Sequence, residues 1–217
     1  MSKKSSVVSP GDEIILVGGG GHARVILSVL ERLGARIVGY TAIEKSPDFP
    51  CAYLGTDEVL LKNGYPSDQA LVMGVGLPAP NPNRLVLVRH FTEAGFSFPP
   101  VTAPGAIVSA DAELCLAAAV LDGAIVATGS RLGIGCIVNH NASVDHDCII
   151  GDNSHVAPGA TICGGVRIES NSFVGAGATV VPGVRVAENC IIAAGATVTA
   201  STEADSMYAG CPARRVR

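Results

Sequence analysis

The chain has 217 residues, a formal net charge of −4, 48% hydrophobic residues and only 4% aromatic ones, with no Trp. That length holds one large domain or two small ones. The acidic balance gives no bulk electrostatic reason to expect nucleic acid or an anionic membrane as partner.

Met1–Gly11 is polar and lacks the apolar run of a secretory leader. Glu13–Val17 is then a strand candidate, followed by Gly18-Gly19-Gly20-Gly21-His22. From Ala23 to Leu33 the apolar residues fall at helical spacing (Val25, Ile26, Val29, Leu30, Leu33), and Gly34 ends the run. Arg36–Tyr40 reads as a second strand, Gln69–Val75 as a third, and Asn83–Ala94 as a second helix ending at Gly95. Strand, Gly-rich turn, helix and strand make a βαβ unit and hence a parallel sheet.

The Gly run nearly matches the dinucleotide fingerprint as Gly18-x-Gly20-x-x-Ala23. The acidic residue that fingerprint expects after the second strand is missing, since Tyr40-Thr41-Ala42 stands there. Gly19, Gly20 and Gly21 at a helix N-terminus suit a phosphate cradle, which fits a nucleotide diphosphate as well as NAD. A tight turn that needs small residues accounts for the same run without a ligand. His22 either starts the helix or reaches toward whatever the cradle holds.

Phe98-Pro99-Pro100 marks a junction, dividing the chain into a Rossmann-like domain over 1–100 and a second domain over 101–217. From Val108 to Val198 every sixth residue is aliphatic, sixteen times without a slip. That period belongs to neither a helix nor a plain strand and predicts a parallel β-helix of hexapeptide repeats, roughly five coils long. The fourth hexad position is Gly eight times, Asn four times and Asp twice. These residues tolerate positive φ, so each hexad is a short strand plus a left-handed corner. Four residues after each aliphatic position the side chain is always small, which suits a narrow interior. Leu114–Val126, the most apolar stretch, obeys this register and is broken by Asp122, so it is no membrane span.

Of seven cysteines none stand as Cys-x-x-Cys, and Cys136, Cys148 and Cys190 occupy the small inward position, so they read as buried apolar residues in a reducing cytoplasm. His140 and His146 take the third position of successive hexads and His155 the sixth of the next, where the repeat requires no histidine. Histidine moves protons near neutral pH, although an outward corner also tolerates one as plain surface. His140 and His146 lie on different corners, well over ~10 Å apart at ~3.3 Å per residue, so one chain cannot chelate a metal with both and no metal is expected. Asp147 stands where a corner wants Gly, Asn or Asp, and it also neighbours His146 as a carboxylate that orients an imidazole does. Gly164, one coil on from His146, leaves room for a ligand, and its N–H can face an oxyanion.

Gly20-Gly21-His22-Ala23-Arg24, Val144-Asp145-His146-Asp147-Cys148-Ile149-Ile150-Gly151-Asp152, Ser154–Gly159 and Tyr208-Ala209-Gly210-Cys211-Pro212-Ala213-Arg214 together resemble a known family. It is that of bacterial nucleotide-sugar N-acetyltransferases, relatives of the sialic acid O-acetyltransferases, which join a Rossmann-like domain to a left-handed β-helix. The resemblance covers nearly the whole chain and supplies the handedness, which the period does not.

It implies a cytoplasmic homotrimer with active sites between adjacent β-helices, acting on a nucleotide-sugar in O-antigen or lipopolysaccharide synthesis, with acetyl-CoA as co-substrate and no metal. His146 matches the family's catalytic base and Asp147 its acidic neighbour. Asn139 and His22 match residues on the sugar side. His155, Gly164, Gly177 and Arg214 match the acetyl-CoA side, the last in the segment that packs near the CoA tail. Relatives acting on UDP-sugars show an acidic pair where this chain has Tyr40-Thr41-Ala42-Ile43, which turns the expectation toward a GDP-linked 4-amino-4,6-dideoxy sugar, GDP-perosamine first. Three other readings stay open: a sugar O-acetyltransferase, a zinc-dependent hydratase on the same β-helix, and a scaffold.

Overall fold

The computed structural model describes residues 7–63 and 69–217. Three parallel strands, β1 (Glu13–Val17), β2 (Arg36–Thr41) and β3 (Gln69–Met73), form a sheet in the order β2-β1-β3. Helix α1 (Gly21–Arg32) buries Ala23, Ile26, Leu27, Val29 and Leu30, the stripe expected from its spacing. It starts two residues before the apolar pattern does, because Gly21 and His22 already follow the helical path after an extended Gly20 at the N-cap. Helix α3 (Asn83–Glu93) lies where expected, and a further helix, α2 (Asp57–Asn63), was not anticipated.

From β4 (Val101–Thr102) onward the chain winds as two-residue strands separated by turns. Each strand pairs in parallel with the one eighteen residues on, as Ile137 does with His155 and Ser143 with Thr161. The three faces contain eight, six and five strands, counting the closing β-hairpin, and make about six coils rather than the five expected from the aliphatic series. The extra hexad begins at Val101–Thr102, where Thr102 pairs with Val120 and stands in the inward register. A polar residue there hides the repeat from a count of aliphatics. At the far end Ile192 pairs with Tyr208, sixteen residues on, so the last coil is two residues short.

The inward series is fully buried from Val120 to Val186, and each such Val or Ile contributes ~1.5–3 kcal/mol. Cys136, Cys148 and Cys190 are buried in the same core, as expected. The corner residues have φ near +55° to +70°, as at Asn141 (56°), Asp147 (57°) and Gly165 (68°). Ala117 takes the same conformation at φ 58°, against the ordinary preference of a residue with a Cβ. Its side chain packs in a core with Phe91 and Phe98. That burial offsets the local cost.

The first coils and the sheet share apolar cores: Val101, Ala119 and Leu121 cluster with Ile14, Ile26 and Tyr40. Arg32 on α1 forks onto Asp122 at a β-helix turn, with N–O distances of 2.9 and 2.5 Å. Along one corner Asn153, Asn171 and Asn189 form a side-chain ladder, with 2.9 and 2.8 Å between successive amides. Asn81, just before α3, docks on this ladder through Asn171 Oδ1 at 3.0 Å and Asn153 Nδ2 at 2.7 Å. Among the described residues no helix is long and apolar enough to cross a membrane.

Candidate active site

Three groups of residues carry chemistry, and the fold places them apart. The first surrounds the turn between β1 and α1. Gly18 has φ +110°, and a Cβ there would come within 3.0 Å of Gly74 and Val75. A Cβ at Gly19 would meet the Tyr40 ring at 2.7 Å, whereas Gly20 and Gly21 face open space. The start of α1 has no side-chain cap and no acidic residue in its first turn, so its N–H groups are open to an anion.

A cleft of about 650 Å³ lies beside this turn, lined by Gly18–Gly20, Ala42–Pro47, Asp57, Val75, Asn83, Val86 and Leu87. The carboxylate missing after β2 in the sequence is supplied from α2, where Asp57 accepts a 2.6 Å hydrogen bond from Thr41 Oγ1. Glu44 lies on the same wall and Ile43 is 96% exposed at the rim. Sixteen residues separate Thr41 from Asp57, so only the fold reveals their pairing.

The second group lies where the sheet domain meets the β-helix. His155 is buried, and its Nδ1 lies 2.7 Å from the Leu77 carbonyl, which only accepts. Nδ1 therefore bears the proton and Nε2 the lone pair, to which Asn139 Nδ2 donates at 3.0 Å. The Asn139 amide is oriented by the His140 N–H, which donates to its Oδ1 at 2.8 Å. Burial lowers the His155 pKa, against the Leu77 hydrogen bond. Asn139 and His155 thus hold each other, and Asn139 keeps one N–H for a ligand.

His22 turns toward this group rather than lining the cleft. A Cβ on Gly76 would stand 3.2 Å from the His22 Cβ, the His22 Nε2 is buried without a partner, and its pKa is lowered to about 3 by burial and then by Arg84, His155 and His140. Arg84, on α3, is 1% exposed and was not singled out in the sequence. Nothing in its local pattern marks it, since one Arg in a helix normally faces water.

The third group is a β-helix corner. His146 Nδ1 lies 2.9 Å from Asp147 Oδ2, and the His146 N–H donates to Asp145 Oδ1 at 2.8 Å. The Asp147 hydrogen bond, then the charge of Asp145, raises the His146 pKa. A Cβ on Gly164 would stand 2.4 Å from His146 Nε2, so the bare glycine keeps that nitrogen uncovered. The imidazole side chain is 56% exposed.

Asp147 has both the left-handed φ of a corner and the hydrogen bond of an orienting carboxylate. Gly177 is a corner residue on the column of Asn141 and Gly159, away from His146. Arg214 lies exposed in the terminal β-hairpin, donating to the Ala213 carbonyl at 3.0 Å. His146 and the Asn139–His155 pair are separated by one face of the triangular coil, on the order of 15 Å at ~3.3 Å per residue. Among the described residues, no group of three or more His, Cys, Asp or Glu is arranged to hold a metal ion.

A nucleotide-sized cleft in a half-Rossmann sheet, joined to a hexapeptide β-helix with an exposed histidine–carboxylate pair, defines an acyltransferase of the sugar-modifying kind. Family comparisons agree. Residues 13–86 match the PglD N-terminal domain, and residues 129–164 and 165–200 match the bacterial transferase hexapeptide repeat. The acetyltransferase domain of PglB from Neisseria gonorrhoeae, solved with acetyl coenzyme A, is 30% identical, with a TM-score of 0.86 over 95% of this chain and all of that one. A His-to-Asn variant of perosamine N-acetyltransferase from Caulobacter crescentus, solved with CoA and GDP-perosamine, is 29% identical, with a TM-score of 0.87 over 98% of this chain and all of that one. WeeI from Acinetobacter baumannii shares the fold at 20% identity, with a TM-score of 0.81 over 94% of this chain and 99% of that one. No curated protein sequence matches.

The chain belongs to the family of bacterial nucleotide-sugar N-acetyltransferases built from a PglD-type α/β domain and a left-handed β-helix. It is an acetyltransferase.

Proposed function

We propose that the protein transfers the acetyl group of acetyl-CoA to the C4 amine of a nucleotide-linked 4-amino-4,6-dideoxy sugar, GDP-perosamine being the first candidate. The observation that carries this reading is the His146 corner, where Asp147 holds Nδ1 and Gly164 leaves Nε2 open. It occurs in a chain whose whole length resembles a perosamine N-acetyltransferase that was solved with CoA and GDP-perosamine.

A carboxylate on Nδ1–H leaves the Nε2 lone pair free to act as a base. The sugar amine attacks the thioester carbonyl, His146 Nε2 takes its proton, and the tetrahedral oxyanion meets the Gly164 N–H. The C–S bond then breaks and the proton passes to the CoA sulfur, leaving an amide and free CoA. Among the described residues no cysteine or serine is hydrogen-bonded to His146 Nε2, which favours direct transfer over a covalent intermediate.

The base preference rests on the cleft. Guanine offers N1–H and N2–H as adjacent donors, which one carboxylate accepts together, whereas uracil flanks its N3–H with two carbonyl oxygens that repel it. The fold thus returns carboxylates, Asp57 and Glu44, to a cleft whose sequence lacks the acidic pair of UDP-sugar relatives. The preference for a GDP-sugar rests on the paired donors of guanine rather than on that absence. The pyrophosphate lies on the open N–H groups of Gly20 and Gly21.

Because His146 lies a full face away from Asn139 and His155, the site closes between neighbouring copies in a cytoplasmic homotrimer. Gly177 and Arg214, on other columns of the β-helix, then meet CoA beyond its thioester. CoA release with a panel of GDP-, UDP- and dTDP-4-amino sugars tests the substrate, and the GDP compound is expected to give the highest kcat/KM. His146→Asn is expected to lower kcat by roughly 10²–10⁴-fold. CoA release from free sialic acid but from none of the nucleotide sugars would replace this reading with O-acetylation.

A further inference from the structure

Arg84 is among the largest fully buried side chains of the described residues, and no carboxylate among those residues pairs with it. Its Nη1 donates to the Val75 carbonyl and its Nη2 to the Gly135 carbonyl at 3.0 Å, while Nε has no partner. Burial pushes its pKa down to about 10. A packing role alone would be served better by an apolar side chain, because an unpaired buried charge carries a desolvation penalty.

What the guanidinium does is join two parts of the molecule. Val75 belongs to the loop after β3, and Gly135 is a corner of the β-helix with φ 69°. The planar fork of Arg reaches both carbonyls at once, which the single ammonium of Lys does not.

The loop so fastened has three consecutive residues with three contacts. Val75 lines the nucleotide cleft and lies against Gly18. Gly76 meets His22, where even a Cβ would come within 3.2 Å of the His22 Cβ. Leu77 offers the carbonyl that accepts the His155 Nδ1–H.

We propose that Arg84 is a positioning residue: by clamping Val75 to the Gly135 corner it fixes Leu77, and Leu77 holds His155 in the Nδ1–H form. Nε2 of His155 then stays an acceptor, and Asn139 is pointed by it. Without the clamp the Leu77 carbonyl moves, and His155 reverts toward the Nε2–H form with Asn139 turned away.

The test has two readouts on the full-length protein carrying Arg84→Met, which keeps the side chain's bulk and removes its fork. The first, taken without substrates, is long-range ¹H–¹⁵N correlation of ¹⁵N-histidine-labelled protein, with His155 assigned from a His155→Gln sample. Wild type is expected to show the Nδ1–H tautomer at His155 and Arg84→Met the Nε2–H tautomer. The second is steady-state acetyl transfer, which alone rests on the function proposed above. Here kcat is expected to fall roughly 10–100-fold, as for a displacement of ~1 Å at a reacting group, with both KM values within about threefold. An unchanged His155 tautomer overturns the proposal whatever the rate does, and so does a wild-type kcat in a variant whose tautomer has switched. If Arg84→Met fails to fold, Arg84→Lys, which retains the charge and one donor, is read by the same two criteria.

Discussion

Replacing Gly164 with Ala adds one methyl group next to the His146 ring. Its Cβ would lie 2.4 Å from Nε2, 2.6 Å from Cε1 and 2.9 Å from Cδ2. A carbon in ordinary contact stands roughly 3.5 Å away, so the ring must retreat by about 1 Å. The ring is 56% exposed and free to swing, and the φ of Gly164 lies outside the left-handed region. The substitution is therefore expected to leave stability unchanged or slightly raised, since Gly→Ala at a compatible φ gains ~0.4–1 kcal/mol through the unfolded chain.

Catalysis should respond differently. A base displaced by ~1 Å loses on the order of 10²-fold in rate, equivalent to ~2.7 kcal/mol in the barrier. The assay is CoA thiol release at saturating substrates, beside a thermal melt of the same preparation. A Gly164→Ala enzyme with kcat within threefold of wild type would refute the placement of His146 Nε2 at the reacting centre.

Two other perturbations follow from the geometry. Asp147 holds the His146 pKa above its usual 6.5, and a base works when neutral, so kcat should rise with pH through that raised value. Asp147→Asn removes the largest cause of the shift, so the acid limb of the pH–kcat profile should move to lower pH; an unmoved limb would show that Asp147 is only a corner residue. Asp57→Asn should weaken GDP binding by ~10–100-fold, the ~1.5–3 kcal/mol of a hydrogen bond to a charged group, and leave the KM for acetyl-CoA unchanged. Equal GDP affinity in calorimetry would remove Asp57 from base recognition.

The β-helix was legible because its rule is local: one aliphatic, one small residue and one left-handed corner in every six. The rule failed where a neighbour outside the coil overrode it. Thr102 hid the first hexad, and the last coil shortens to sixteen residues as the chain turns into its closing hairpin. Ala117 adopts a conformation its type disfavours because Phe91 and Phe98 bury it.

At the candidate site, the sequence singled out His146 as unexplained by the repeat, Asp147 as its neighbour on a corner that wants Asp anyway, and Gly164 one coil on, and the fold brings these three together. Asp57 was not, because its pairing with Thr41 is made by the return of α2 to the end of β2. Arg84 was hidden for a similar reason: both carbonyls it binds belong to loops elsewhere in the chain. The mutual hold of Asn139 and His155 depends on Leu77, seventy-eight residues before His155.

Up to the shortened last coil, the pairing of each strand with the one eighteen residues on makes the β-helix a stepped ruler. Strand spacing sets the step at ~4.8 Å, so a length change of one whole coil raises or lowers every feature above it by that amount. A change of six residues instead carries those features around to the next corner. Insertions between the sheet domain and His146 thus have only two simple outcomes, a different height or a different face. In this chain, the height of His146 above the sheet domain can change only in such quanta.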